Sequence, residues 1–230
     1  MHQELFKLLT QKLYQLYNAG FDHIIAPPFC VYCKKLLSKH SILCIDCDQL
    51  IDPIVSIQIP ITSQQKMTVM AIAGYQEPLK SMILAKSWGN IITSQQLGQL
   101  LWEKTYFSCI PCDYIIPIPL HWVRFARRGY NQAQEMACVV ASKKNVPVAN
   151  ILVRHKHTPF QSSLAYDKRL NNVKTAFSLK KNIDRSLYEN KHLVIIDDLM
   201  TTGATLQSAA KALQALKPAS LTCLVVCRVV

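Results

Sequence analysis

Apolar residues change their spacing several times along this chain, and each change marks an element. From Leu5 through Leu8, Leu9, Leu13, Leu16 and Tyr17 they recur at helical intervals, and Asn18-Ala19-Gly20 supplies the stop. That stripe reads as half of a core rather than as a partner surface. The pattern lapses over residues 51–66, where Pro53, Pro60 and the polar Thr62-Ser63-Gln64-Gln65-Lys66 mark a seam. It divides a leading module with its helix, residues 1–62, from a larger domain, residues 63–230. Within the larger domain Met67–Tyr75 predicts a strand, Pro78–Lys86 a short helix and Thr93–Phe107 a longer one. Asp113–Leu120 predicts a strand that ends at Pro117 and Pro119, because neither can donate to a ladder. A helix over Asn131–Lys144, a strand over Val146–Val153, a helix over Tyr166–Ala176 and a last strand over Ser220–Cys227 follow. Strands alternating with helices in this order predict the α/β class, a doubly wound parallel sheet with right-handed crossovers.

The most informative stretch starts at His192. Leu193-Val194-Ile195-Ile196 shows no alternation, which suits a strand buried on both faces. Asp197 and Asp198 stand at its C-terminal end, and Thr201-Thr202-Gly203-Ala204-Thr205 opens a helix with Leu206, Ala209, Ala210, Leu213 and Leu216 on its apolar face. Hydroxyls and free amides at a helix start form an anion site. A Walker loop would place a lysine before its Ser/Thr, and none is present, so a single phosphate fits better than a polyphosphate. Ionised carboxylates only accept hydrogen bonds, and vicinal sugar hydroxyls donate them, so the ligand these groups select is a ribose 5-phosphate. Mg²⁺ would offset the repulsion between the carboxylates and the ligand's phosphates. The segment resembles the phosphoribosyl-pyrophosphate (PRPP) motif of type I phosphoribosyltransferases, and that resemblance implies their fold for the larger domain.

Composition narrows the setting. The 230 residues are half apolar and carry a formal charge of +12, which favours a polyanionic partner, nucleic acid first. No apolar run approaches the ~20 residues of a membrane span, and the first turns carry Glu4 and Lys7 rather than a signal-peptide core, so the expectation is a cytoplasmic protein with no membrane insertion. Nine cysteines without a secretion signal read as reduced thiols. Four of them, Cys30, Cys33, Cys44 and Cys47, form two Cys-x-x-Cys knuckles, the spacing of a closed tetrahedral site for structural Zn²⁺, as in a zinc ribbon. Lys34, Lys35, Lys39 and His40 lie between the knuckles, either facing a phosphate backbone or simply solvated. Cys109 and Cys112 read as loop thiols.

After the strand ending at Leu120, Arg124, Arg127 and Arg128 fall on the sheet edge that also carries Asp197 and Asp198. A guanidinium is a natural clamp for pyrophosphate, and Arg124 and Arg128 are the first choices; the competing reading is a solvated basic turn. Arg154 and Lys156 are further candidates for pyrophosphate or DNA, at the start of a polar segment through Gln161 with the profile of a closing loop. His155 and His157 there are proton carriers or surface residues. Trp122, Phe125 and Tyr130 offer rings for stacking on bases.

Taken together, the two Cys-x-x-Cys pairs, Lys86-x-x-Gly89, Ile116-Pro117-Ile118-Pro119-Leu120, Arg128-Gly129-Tyr130-Asn131-Gln132, the series Arg154, Thr158, Gln161, Arg169 and Asn172, and the Asp197-to-Thr205 motif resemble the ComF family of competence proteins over nearly the full length. The resemblance implies a PRPP-binding, phosphoribosyltransferase-like protein of natural transformation. It would act in the cytoplasm on imported single-stranded DNA, with other competence proteins as partners. Two other functions stay open: a transferase of nucleotide metabolism with an unnamed acceptor, and a non-catalytic binder of single strands.

Overall fold

A computed structural model describes residues 29–39, 41–85, 91–120, 122–155 and 176–229. The predicted helices at Leu5–Tyr17 and Tyr166–Ala176, together with His40, Lys86, Gly89, Lys156, His157, Thr158, Gln161, Arg169 and Asn172, lie outside them or largely so. Two compact units divide between Leu50 and Ile51. Among the described residues the smaller contains one short helix, α1 (Ile45–Asp48). Its knuckles are set by local bonds: Lys34 N–H donates to Cys30 O at 2.9 Å, with Lys34 in the left-handed region at φ 63°, and Asp48 N–H donates to Cys44 O at 2.9 Å.

The larger unit is built on a five-stranded sheet in the order β1-β2-β7-β6-β3. Its strands are β1 (Ile57–Pro60), β2 (Lys66–Gly74), β3 (Tyr114–Pro117), β6 (His192–Met200) and β7 (Ser220–Arg228). β4 (Leu152–Arg154) and β5 (Phe177–Leu179) form a separate antiparallel pair. The sheet is mixed, because β2, β7, β6 and β3 run parallel while β1 folds back antiparallel on β2. β1 lies inside the stretch that loses periodicity in the sequence, with only Ile59 fully buried. The unalternating run behaves as its composition demands: Leu193, Val194, Ile195 and Ile196 are all buried, as are Cys223 through Cys227 beside them. Each such aliphatic side chain contributes about 1.5–3 kcal/mol.

Among the described residues five α-helices accompany the sheet: α2 (Leu79–Ala85), α3 (Ile91–Lys104), α4 (Trp122–Arg128), α5 (Gln132–Lys144) and α6 (Ala204–Leu213). α3 and α5 touch backbone to backbone at Gly98, where a Cβ would lie 2.9 Å from Met136 Cα, so only glycine allows their approach. α5 leads from β3 to a parallel bridge between Ile115 and Val148, away from β6. α6 leads from β6 to β7, in the opposite direction along the sheet. Right-handed crossovers therefore put α5 and α6 on opposite faces, which is what doubly wound means.

Candidate ligand site at the switch point

β3 and β6 are neighbours whose connections depart in opposite directions, so their C-terminal ends flank a crevice, the place where open α/β sheets bind ligands. Proline chemistry opens it. Ile118 N–H donates to Ile196 O at 2.9 Å, and Pro119 has no N–H to continue the ladder. Among the described residues, β6 runs on from Asp197 to Met200 paired with β7 alone, through Asp197–Val225, Leu199–Cys227 and Met200–Arg228. The acidic pair therefore belongs to the strand itself, not to a turn after it. The reason is that β7 continues alongside as far as Arg228 and holds the extension in place.

Adjacent residues of a strand point to opposite faces, so Asp197 and Asp198 reach a common ligand only at the sheet's end. Asp197 Oδ1 accepts the Asp198 N–H at 2.9 Å, which fixes its carboxylate next to the backbone. Its charge also acts inward: burial first, and then Asp197, hold the Cys223 thiol well above the usual range, so this cysteine stays neutral. Thr201 and Thr202 are exposed, and Thr202 Oγ1 accepts the Ala204 N–H at 3.5 Å. Gly203 precedes α6 at φ 75°, and a Cβ there would stand 3.0 Å from Met200 Cε. Glycine is needed on both counts, for the left-handed turn and for the close approach. Beyond it the first-turn amides of α6 have no acceptor within the helix, so the turn from Thr201 to Thr205 presents donors at the positive end of the helix dipole.

The segment after β3 is the seven-residue helix α4 rather than a turn, and Arg124, Arg127 and Arg128 lie along it. Gly129 ends it at φ 77°, donating to Phe125 O at 2.7 Å. Asn131 then does two jobs that sequence inspection assigned to no residue: its Oδ1 accepts the Ala133 N–H at 3.2 Å as the cap of α5, and its Nδ2 donates to Ile118 O at 3.0 Å. The asparagine ahead of an apolar helix was the available signal. Tyr130, offered by the sequence as a stacking ring, is 7% exposed and belongs to the packing, whereas Trp122 and Phe125 are 72% and 50% exposed. Arg154 ends β4, with its guanidinium carbon 5.4 Å from the Phe177 ring centroid.

In the smaller unit Cys30, Cys33, Cys44 and Cys47 bring their sulfurs within 4.8 Å of one another, and Cys33 Sγ is 3.7 Å from Cys44 Sγ. A tetrahedral ion with bonds of about 2.3 Å needs sulfurs roughly 3.8 Å apart, so the cluster can hold a metal ion. Burial works to raise the Cys30 thiol, yet backbone donors at Cys33, Cys44 and Tyr32 bring it down to about 6, while burial and the neighbouring sulfurs push Cys47 up. Held as thiolates, four sulfurs at such distances would need a cation among them. Cys112 has no comparable set of partners among the described residues: burial pushes its thiol up to about 12, and its Sγ lies 3.7 Å from Tyr114 O.

A phosphoribosyl transferase domain model matches residues 125–229, which take in most of α4, α5, β6, the Thr201–Thr205 turn, α6 and β7. Competence protein F of Haemophilus influenzae is 32% identical over 197 residues, 82% of this chain and 80% of that protein. DNA utilization protein YhgH of Escherichia coli is 30% identical over 154 residues, 63% of this chain and 65% of that protein. Competence protein ComFC of Bacillus subtilis is 36% identical over 110 residues, 43% of this chain and 37% of that protein. A cysteine cluster ahead of a mixed, doubly wound sheet with an Asp-Asp and Thr-Thr-Gly-Ala-Thr switch point, together with identity running through four-fifths of a competence protein, establishes that the chain belongs to the ComF family and carries a phosphoribosyltransferase-type domain.

Proposed function

We propose that the crevice between β3 and β6 binds PRPP with Mg²⁺, and that the protein serves natural transformation by handling imported single-stranded DNA in the cytoplasm. The observation that carries the first part is the extension of β6 beyond the end of β3, which leaves two carboxylates beside a glycine-turned helix start. The 5′-phosphate takes the amides and hydroxyls from Thr201 to Thr205, the ribose hydroxyls donate to Asp197 and Asp198, and the pyrophosphate lies towards Arg124 and Arg128 on α4, with Arg127, Arg154 and Lys156 as further cations. Asp197 and Asp198 are the residues that would hold Mg²⁺, which would supply positive charge against the phosphates. Carboxylate charge beside the sugar would stabilise the positive charge that develops at C1 as the C1–O bond breaks and its electron pair leaves with pyrophosphate; an acceptor's lone pair forms the new bond and the acceptor's proton passes to solvent. The ion in the smaller unit is Zn²⁺, structural because four thiolates leave no open position, and metal analysis should find one zinc per chain.

The DNA role draws on the charge of +12, on the relatives named for competence and DNA utilization, and on exposed aromatic residues among the arginines of α4. No helix among the described residues is long and apolar enough to cross a membrane. Calorimetry tests the ligand assignment. PRPP should bind in the presence of Mg²⁺ and should lose about 100-fold or more in affinity when Asp197→Asn is combined with Asp198→Asn, the size expected for two charge-assisted bonds. Unchanged affinity would exclude the crevice as the ribose site.

A further inference from the structure

We infer that Cys33 is an oxidation site, at which a peroxide turns the pair Cys33 and Cys44 into a disulfide and strips the smaller unit of its metal ion. The inference rests on the zinc reading above and adds to it a covalent step and a consequence for the fold. Exposure singles out the residue: Cys33 is open to solvent, whereas Cys30, Cys44 and Cys47 are at most 7% exposed. The thiolate is both the metal ligand and the nucleophile, and an oxidant arriving from solvent attacks only a sulfur it can touch. Of the four sulfurs, that describes Cys33.

Geometry supplies the second thiol. Cys33 belongs to the first knuckle and Cys44 to the second, and their sulfurs are 3.7 Å apart. A disulfide needs about 2.05 Å, and rotation about the two side-chain bonds supplies an approach of that size. The backbone already brings the knuckles together, because Val31 N–H donates to Ile42 O at 3.0 Å and Cys30 N–H donates to Lys35 O at 2.9 Å. The electrons balance over two steps. The Cys33 thiolate attacks one oxygen of hydrogen peroxide, the O–O bond breaks, and a sulfenic acid and a hydroxide result. The Cys44 thiolate then attacks the sulfenic sulfur, the S–O bond breaks, and a second hydroxide leaves as the S–S bond forms. Two thiolates are oxidised, and the peroxide is reduced by two electrons.

The loss matters because little else holds this unit together. Among its described residues the buried apolar side chains besides the cysteines are Ile42 and Leu43, while Phe29, Leu36, Ile45 and Leu50 are each more than half exposed. Two aliphatic side chains do not offset the conformational entropy of the ordered knuckles, so the free energy of metal binding is the folding free energy of the unit. With Cys33 and Cys44 joined to each other, Cys30 and Cys47 alone cannot close a tetrahedral site. The unit therefore unfolds as the ion is lost.

The test is a hydrogen peroxide titration of the full chain, with released zinc read by a chromogenic chelator and disulfides mapped by mass spectrometry of the digested protein. Peroxide should release the bound zinc as a Cys33–Cys44 disulfide forms, and a thiol reductant with added Zn²⁺ should restore it. Cys33→His keeps four donors, since an imidazole commonly takes the place of one thiolate, and should slow release about 10-fold or more. Cys47→His, changed at a buried position, should stay within about 3-fold of the unaltered chain. Zinc retained once the exposed Cys109 and Cys138 are oxidised overturns the inference. A first disulfide joining any other pair in the unaltered chain overturns it as well, as does equal slowing by the two variants. Purified chain that holds no zinc overturns both this inference and the zinc reading beneath it.

Discussion

The two ends of the β3–β6 pair carry the same residue types and use them differently. At the N-terminal end Asp113 is tied into the neighbouring strand: its Oδ2 accepts the His192 N–H at 2.8 Å, its own N–H donates to His192 O at 2.8 Å, and Lys191 Nζ stands 3.7 Å from Oδ1. His192 in turn meets Ser220 Oγ at 2.8 Å, and Ala219 N–H donates to Lys191 O at 2.9 Å, so three strands start in step. At the C-terminal end β3 leaves at Pro119, β6 continues, and Asp197 and Asp198 stand where the neighbouring strand no longer is. An acid serving the fold is thus placed where strands meet, and the acids proposed to serve a ligand stand where they part. Topology makes the difference, because the connections diverge only at the end where the helices leave.

The sharpest way to break this comparison is to neutralise both ends. Asp113→Asn should cost about 1 kcal/mol of stability, a fall of about 2–4 °C in Tm, and leave PRPP affinity within about 2-fold, while Asp197→Asn with Asp198→Asn loses about 100-fold or more in PRPP affinity. The reverse pattern, read by calorimetry and thermal melts together, would contradict the assignment of roles.

Gly203→Ala is the next largest effect. It forces a side chain into the left-handed region and against Met200, at a cost of about 1–2 kcal/mol or about 2–8 °C in Tm, and it should weaken ribose 5-phosphate binding because the amides of the turn move. Adding Met200→Ala should relieve only the contact, since the strain of φ 75° remains. Asn131→Ala should cost about 1 kcal/mol through the lost cap and loosen α4, visible as faster hydrogen exchange between Ile118 and Ala133. The smallest effect belongs to the inert end. At pH 8 iodoacetamide should modify exposed Cys109 well before Cys112, because a thiol held up at about 12 has almost no thiolate there. Equal rates would show that the start of β3 is open.

Legibility in the sequence followed burial. β6 and β7 were readable because a strand covered on both faces must be continuously apolar, and the cysteine knuckles because tetrahedral coordination fixes their spacing. β1 was not, since four edge residues with one buried side chain carry no period, and the same holds for the three residues of β5. α4 escaped for the opposite reason. Its apolar residues face solvent, so its pattern lacks the inward stripe by which helices are recognised, and Gly129 looked like part of a turn. The end of β6 was placed too early because Asp197 and Asp198 break the apolar run, although the ladder with β7 does not depend on side-chain polarity. What hydrophobic patterning shows is what packs inward, and a ligand site made of strand ends, a positive φ and an outward-facing helix is visible to it only through motif.

The most direct test of the central claim is a crystal structure of the chain with ribose 5-phosphate and Mg²⁺. The account predicts the phosphate against the amides of Thr201–Thr205 and the vicinal hydroxyls within hydrogen-bond distance of Asp197 and Asp198. Density for the sugar phosphate at any other place, with that crevice empty, would contradict it.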